Sequence, residues 1–136
     1  MPVVLDTCAL ADHTSQWERK TELDRILRDN VAYISSSCAV EALFLTRKFE
    51  SIERYEHLLE HFTRGEDIRI VDERDPKLLD VAVEIYGLGA CIESCMTAAI
   101  AAVNDCPVVT AKLSPNGEPD DYVEIERRGY CMVWRI

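Results

Sequence analysis

Apolar and polar positions follow two rhythms along the chain, and the switches between them divide it into short strands and longer helices. Val3, Val4 and Leu5 run together without helical spacing, as a strand buried on both faces does. The run stops at Asp6-Thr7, after which Ala9, Leu10 and Ala11 open a helix. From Ser15 to Asp29 the chain is charged, with Leu23, Ile26 and Leu27 on one face, which predicts an amphipathic helix. Val31 to Ile34 is a β-type run. Ser35-Ser36-Ser37 then supplies N-caps for a helix carrying Val40, Leu43, Phe44 and Leu45. A second helical pattern runs from about Glu50 to Arg64, through Ile52, Tyr55, Leu58, Leu59 and Phe62, and Gly65 stops it.

Ile68 to Val71 reads as a third strand. Pro76, suited to a first helical position, opens a helix through Leu78, Leu79, Val81, Ala82 and Ile85, which Gly87 and Gly89 break. Cys91 to Val103 is a helix rich in alanine, which predicts close packing. Pro107 to Thr110 is a short buried strand, Pro115, Gly117 and Pro119 mark a loop, and Tyr130 to Trp134 reads as an edge strand. The alternation predicts one parallel sheet covered by helices on both faces, in a single domain over residues 1–136.

Composition narrows the partners. The 136 residues are 48% hydrophobic and 29% charged, an ordinary globular balance. Asp and Glu number 25 against 15 Lys and Arg, and the net charge of −10 opposes capture of nucleic acid over the whole surface. It leaves room for a local basic rim, with Arg47, Lys48 and Lys112 as candidates, or for a basic protein partner. The six cysteines make no Cys-x-x-Cys pair and no leader precedes them, which predicts free thiols in a reducing cytoplasm. Cys91 and Cys95 read as small core residues. No apolar run approaches the ~20 residues of a membrane span.

Three carboxylates stand out. Asp6 ends the first strand, and open α/β sheets bind ligands at the carboxyl ends of their strands. Asp6 reads equally well as the cap of the following helix. Glu41 sits among Cys38, Ala39, Val40, Ala42 and Leu43, where a buried charge needs a partner or a metal, with Arg47 or Lys48 as the ordinary partners. Glu93 opens a helix after a glycine break. Oxygen ligands without His or thiolate favour Mg²⁺ or Mn²⁺, ions that work on phosphates. Thr7 and Thr110, each after a strand, are placed to hold a water, a metal or a phosphate, or simply to bond the strand end. His57-Leu-Leu-Glu60-His61 matches a zinc peptidase pattern, so a zinc hydrolase using His57 and His61 is a remote alternative, without an obvious third ligand. Gly87-x-Gly89 lacks the third glycine of a dinucleotide fingerprint.

Val3-Val-Leu-Asp6-Thr-Cys-Ala-Leu resembles the opening of PIN-domain proteins, whose first strand ends in Asp before a small polar residue. Cys38-Ala-Val-Glu41-Ala-Leu resembles their helical Glu motif. Glu93-Ser-Cys-Met-Thr-Ala-Ala-Ile-Ala-Ala, followed by Pro107-Val-Val-Thr110, resembles their third. The resemblance covers nearly the whole chain. It implies a three-layer α/β/α sandwich with a mainly parallel five-stranded sheet, and Mg²⁺- or Mn²⁺-dependent cleavage of RNA. Many small members are similar to the toxin of a toxin–antitoxin pair (the VapC type), which implies an antitoxin partner and a homodimer. It also implies Asp6, Glu41 and Glu93 as metal ligands and catalytic acids, with Thr7, Thr110 and Lys112 toward substrate. Two departures leave three readings of the site: intact, altered or degenerate. The third acid is Glu93 by charge but Ser94 by position. Thr110-Ala111-Lys112 also replaces the family's frequent Thr-x-Asp, leaving Asp120 or Asp121 as substitutes. The competing reading is a degenerate PIN-like module that binds RNA or protein without cleavage.

Overall fold

The computed structural model describes residues 2–10, 17–111 and 120–136, leaving aside the side chains of 17–22. The strands are β1 (Pro2–Leu5), β2 (Val31–Ile34), β3 (Ile68–Ile70), β4 (Val108–Thr110) and β5 (Val133–Arg135). All neighbours pair in parallel, in the order β3-β2-β1-β4-β5. Between and after them run α1 (Trp17–Asp29), α2 (Ser36–Phe49), α3 (Ile52–Arg64), α4 (Pro76–Tyr86), α5 (Ile92–Val103) and α6 (Asp121–Arg127).

The alternation of side chains along β1 makes the three layers. Val3 and Leu5 face one side, packed with Leu23, Cys38, Ala39, Phe62 and Val109. Val4 faces the other, with Leu78, Ile85, Ala98, Val108, Tyr122 and Ile125. Both faces of the central strand are therefore dry, which is why it reads as an unbroken apolar run. The expected alanine-rich helix lies closest, with Ala98, Ala99, Ile100 and Ala101 of α5 fully buried. The fold is the expected α/β/α sandwich on a five-stranded parallel sheet.

Local chemistry sets the ends. Ser35 caps α2 by accepting from the Cys38 N–H at 3.0 Å, and Ser51 caps α3 from the Arg54 N–H at 3.1 Å, so α3 starts at Ile52 and not at Glu50. Pro76 takes the first turn of α4 behind the cap Asp75. The main departure is at the carboxyl end. Helix α6 was not expected, and β5 begins at Val133, three residues after the expected start. Gly129, at φ 82°, and Tyr130 close α6 by donating to the carbonyls of Glu126 and Ile125. That occupies the Tyr130 amide in ending a helix. The apolar face of α3 is mostly absorbed at home, since Phe62 is buried and Leu58 packs against the core. The expected loop at 115–119 and Lys112 lie outside the described residues. Among the described residues, no helix is long and apolar enough to cross a membrane.

Candidate functional site

The strand order puts a topological break between β1 and β4. From β1 the chain builds outward through β2 and β3, then crosses to the other side for β4 and β5. Open sheets place their ligands at such a break, outside the carboxyl ends of the strands. Asp6 follows β1 directly, and Thr110 ends β4. A cleft of about 160 Å³ opens at this point, lined by Asp6, Thr7, Cys8, Glu41, Leu45, Glu93, Ser94 and Tyr122.

Asp6 is 3% exposed and does both things its sequence position allowed. One carboxylate oxygen accepts from the Ala9 N–H at 2.9 Å, capping the helical turn over 7–10. The other accepts from the Thr110 hydroxyl and, at 3.1 Å, from the Tyr122 hydroxyl. Capping and site readings were alternatives only because sequence shows one carboxylate, not its two oxygens. Burial, then the Asp6 carboxylate beside it, pushes the Tyr122 phenol well above its ordinary value. Tyr122 therefore stays a proton donor to Asp6 across the working pH range.

Thr7 ties the remaining acids together. Its hydroxyl lies within hydrogen-bonding reach of Glu93, of Glu41 at 3.5 Å and of the Cys38 sulfur at 3.3 Å. A hydroxyl carries one proton, so these acceptors compete for it. Burial pushes the Cys38 thiol up to about 12, against the Thr7 hydrogen bond, and the Asp6, Glu93 and Glu41 charges add to the rise. One buried sulfur feels all three carboxylates, and at neutral pH it is a thiol and no nucleophile.

Glu41 corrects the sequence argument that singled it out. It is not buried but stands exposed at the cleft's lip, because α2 turns Cys38, Ala39 and Ala42 inward and leaves Val40 and Phe44 in water. Its apolar neighbours are thus partly a surface. The ordinary partners suggested for it are engaged elsewhere: Arg47 lies over Tyr55, and Lys48 over Phe44 and Phe49. Glu93 and Ser94 divide the third position between them. Ser94 takes the buried place, accepting from the Cys91 thiol at 3.2 Å, while the longer Glu93 reaches Thr7 from the rim.

The proposed substitutes for the fourth acid lie elsewhere. Asp120 caps α6 and holds Arg135 through two contacts at 2.7 and 2.9 Å. Asp121 accepts from the Cys91 N–H at the start of α5. A larger cavity of about 400 Å³ beside α6 includes both, but its charges answer one another, with Glu124 held by Arg127 and Arg128. The chemistry lies in the smaller cleft. His57 and His61 sit on α3, with Glu60 between them paired to Arg64. As the side chains stand, no three His, Cys, Asp or Glu groups among the described residues are drawn together closely enough to hold an ion. The donor set at the cleft nonetheless suits a hard cation: three carboxylates, and a hydroxyl within reach of the two glutamates. Tyr122 and the thiol of Cys38 are site residues that sequence reading missed. Tyr122 follows two acids in a short charged segment, where nothing in the pattern marks it as inward.

No protein-family model matches the sequence, and no curated protein is significantly similar to it. Solved structures do match its fold. VapBC2 from Rickettsia felis, bound to a DNA fragment from its promoter, aligns with a TM-score of 0.66 at 16% identity, over 99% of this chain and 98% of that one. FitAcB from Neisseria gonorrhoeae gives 0.65 at 15%, over 98% and 96%. VapBC-5 from Mycobacterium tuberculosis, a member of the VapBC family of toxin–antitoxin systems, gives 0.60 at 18%, over 99% and 98%. Identity at this level speaks for architecture, and the architecture is plain: the chain has the PIN-like fold.

Proposed function

We propose that this PIN-like domain is a metal-dependent ribonuclease that hydrolyses RNA phosphodiesters as the toxin of a toxin–antitoxin pair. The observation that carries the reading is the convergence of Asp6, Glu41 and Glu93 on one cleft at the break in strand order, with Thr7 between the two glutamates. Asp6, Glu41 and Glu93 would hold Mg²⁺ or Mn²⁺, which when bound supplies a hydroxide at neutral pH and charge neutralisation at phosphorus. The chain's own part is orientation. Thr110 and Tyr122 fix the Asp6 carboxylate, Thr7 sets the two glutamates, and Lys112 is assigned to grip the substrate phosphate. Without a cation, the three carboxylates repel a phosphodiester.

Similarity to the VapBC and FitAcB structures supports a protein antitoxin, and the net charge of −10 favours a basic one. The exposed apolar side chains Val40, Phe44, Phe49 and Ile52 support self-association as a homodimer. Mn²⁺ titration by calorimetry tests the metal site, with Asp6→Asn expected to lose the binding heat. Equal heats from both proteins would place any ion elsewhere. A second reading, a non-catalytic module that binds RNA or protein, draws on the fourth position: Asp120 and Asp121 are committed to α6 and α5, and neither lines the cleft.

A further inference from the structure

At the opposite end of the sheet, two cysteines line one small cavity. Helices α5 and α6 end in the same motif and feed neighbouring strands. In α5, Asp105, in a left-handed conformation at φ 50°, and Cys106 donate to the carbonyls of Ala102 and Ala101. In α6, Gly129 and Tyr130 make the matching pair of bonds to Glu126 and Ile125, and Cys131 comes next. Each cysteine therefore enters its strand from a fixed helix end.

The register does the rest. Val108 of β4 lies opposite Val133 of β5. Two residues back along both chains, just before the paired segments begin, come Cys106 and Cys131. Cys106 and Val108 belong to one core cluster, and Cys131 and Val133 pack against it. Both cysteines line a small cavity of about 60 Å³ with Ala101, Asp105, Tyr130 and Met132. In-register neighbours on parallel strands stand about 4.8 Å apart, inside the roughly 4.4–6.8 Å between Cα atoms that a disulfide spans. Burial and the Asp105 charge push the Cys106 thiol up to about 11. Burial, the Glu126 charge and then Cys106 push the Cys131 thiol up to about 12.

We propose that Cys106 and Cys131 are a modification site, a dithiol that closes to a disulfide on exchange with a small-molecule disulfide of the oxidised-glutathione class. Two S–H bonds break and one S–S bond forms between β4 and β5. The two electrons and two protons pass to the oxidant, which leaves as two thiols. The high thiol values make this exchange slow, because the attacking species is the thiolate. They also disfavour thiolate as a leaving group, so the closed form is long-lived. Closure fixes the short edge strand β5 to β4. It thereby holds the platform from which Arg135 grips Asp120 at the cap of α6.

The test needs no variant to begin. The full chain is brought to constant composition in glutathione buffers of increasing oxidised fraction, quenched in acid, alkylated after denaturation and mapped by mass spectrometry. The expected result is a loss of two mass units, four of the six thiols left to alkylate, and a cross-link between the Cys106 and Cys131 peptides. Cys91→Ser should keep that link and Cys131→Ser should lose it. The oxidised form should melt roughly 5–10 °C higher. Six alkylated thiols at the most oxidising ratio, a glutathione adduct without closure, or a link through another cysteine would each overturn the assignment. A link that leaves the melting temperature unchanged would overturn its bracing role.

Discussion

Tyr122→Phe isolates the contact on which the cleft's geometry most depends. The ring is 1% exposed and stays packed between α6 and the sheet in the variant. What disappears is a hydroxyl that donates to Asp6 at 3.1 Å and also meets the Ser94 side chain. Hydrogen bonds to a charged group contribute about 1.5–3 kcal/mol. An O–H···O distance above the usual 2.7–2.8 Å puts this one toward the lower end. Asp6 keeps the Ala9 amide and the Thr110 hydroxyl, so it is not orphaned. The expected destabilisation is about 1.5–2 kcal/mol, or roughly 5–9 °C in melting temperature for a domain of this size. Urea unfolding at pH 7 with an unchanged slope measures it. A cycle with Asp6→Asn should return a coupling of about 1 kcal/mol or more between the two side chains. Loss of an orienting partner should also weaken Mn²⁺ binding by about 10-fold or more. A variant as stable as the parent, with no coupling in the cycle, would show that Tyr122 does not hold Asp6.

Arg135→Gln should cost about 1 kcal/mol at pH 7, since its bidentate pair with the nearly buried Asp120 carboxylate is partly open to water. Arg135 holds the Asp120 carboxyl below its ordinary value of 3.8, so the folded chain binds fewer protons there than the unfolded one. The stability it contributes is present above that ordinary value and is lost as pH falls through the lowered one. The difference between parent and variant should therefore narrow as pH falls below 3.8, and a difference that does not change with pH would refute the pairing. Light scattering at micromolar concentration should give a dimer that Phe44→Asp splits; a monomeric parent would remove the dimer from the account.

Much of this molecule was legible in the sequence because its strands are dry and its caps are local. Val3-Val4-Leu5 read as a two-faced strand, and Ser35, Gly65 and Pro76 mark helix ends by chemistry that needs no tertiary context. The strand-end position of Asp6 allowed both a cap and a site, and its two oxygens serve both. Glu41 was chosen for a partly wrong reason, since a row of apolar residues does not say which of them face water. The choice between Glu93 and Ser94 turns on about 100° of helix rotation against the length of a side chain, and the structure uses both residues. Helix α6 is short, acidic and capped by an Asp that could equally open a turn, so neither it nor Tyr122 stood out. The shortened β5 follows from the same cause, because the helix terminus claims residues that look like strand.

The most direct measurement of the central claim is cleavage of a single-stranded RNA pool in Mn²⁺, comparing the parent with Glu41→Gln. Glu41 is exposed and its loss should leave the fold intact, which circular dichroism on the same sample checks. The proposed chemistry gives slow cleavage by the parent, abolished by chelator and reduced at least 100-fold in the variant. Equal background from parent, variant and chelated samples would contradict the enzyme, and leave the PIN-like domain as a binding module.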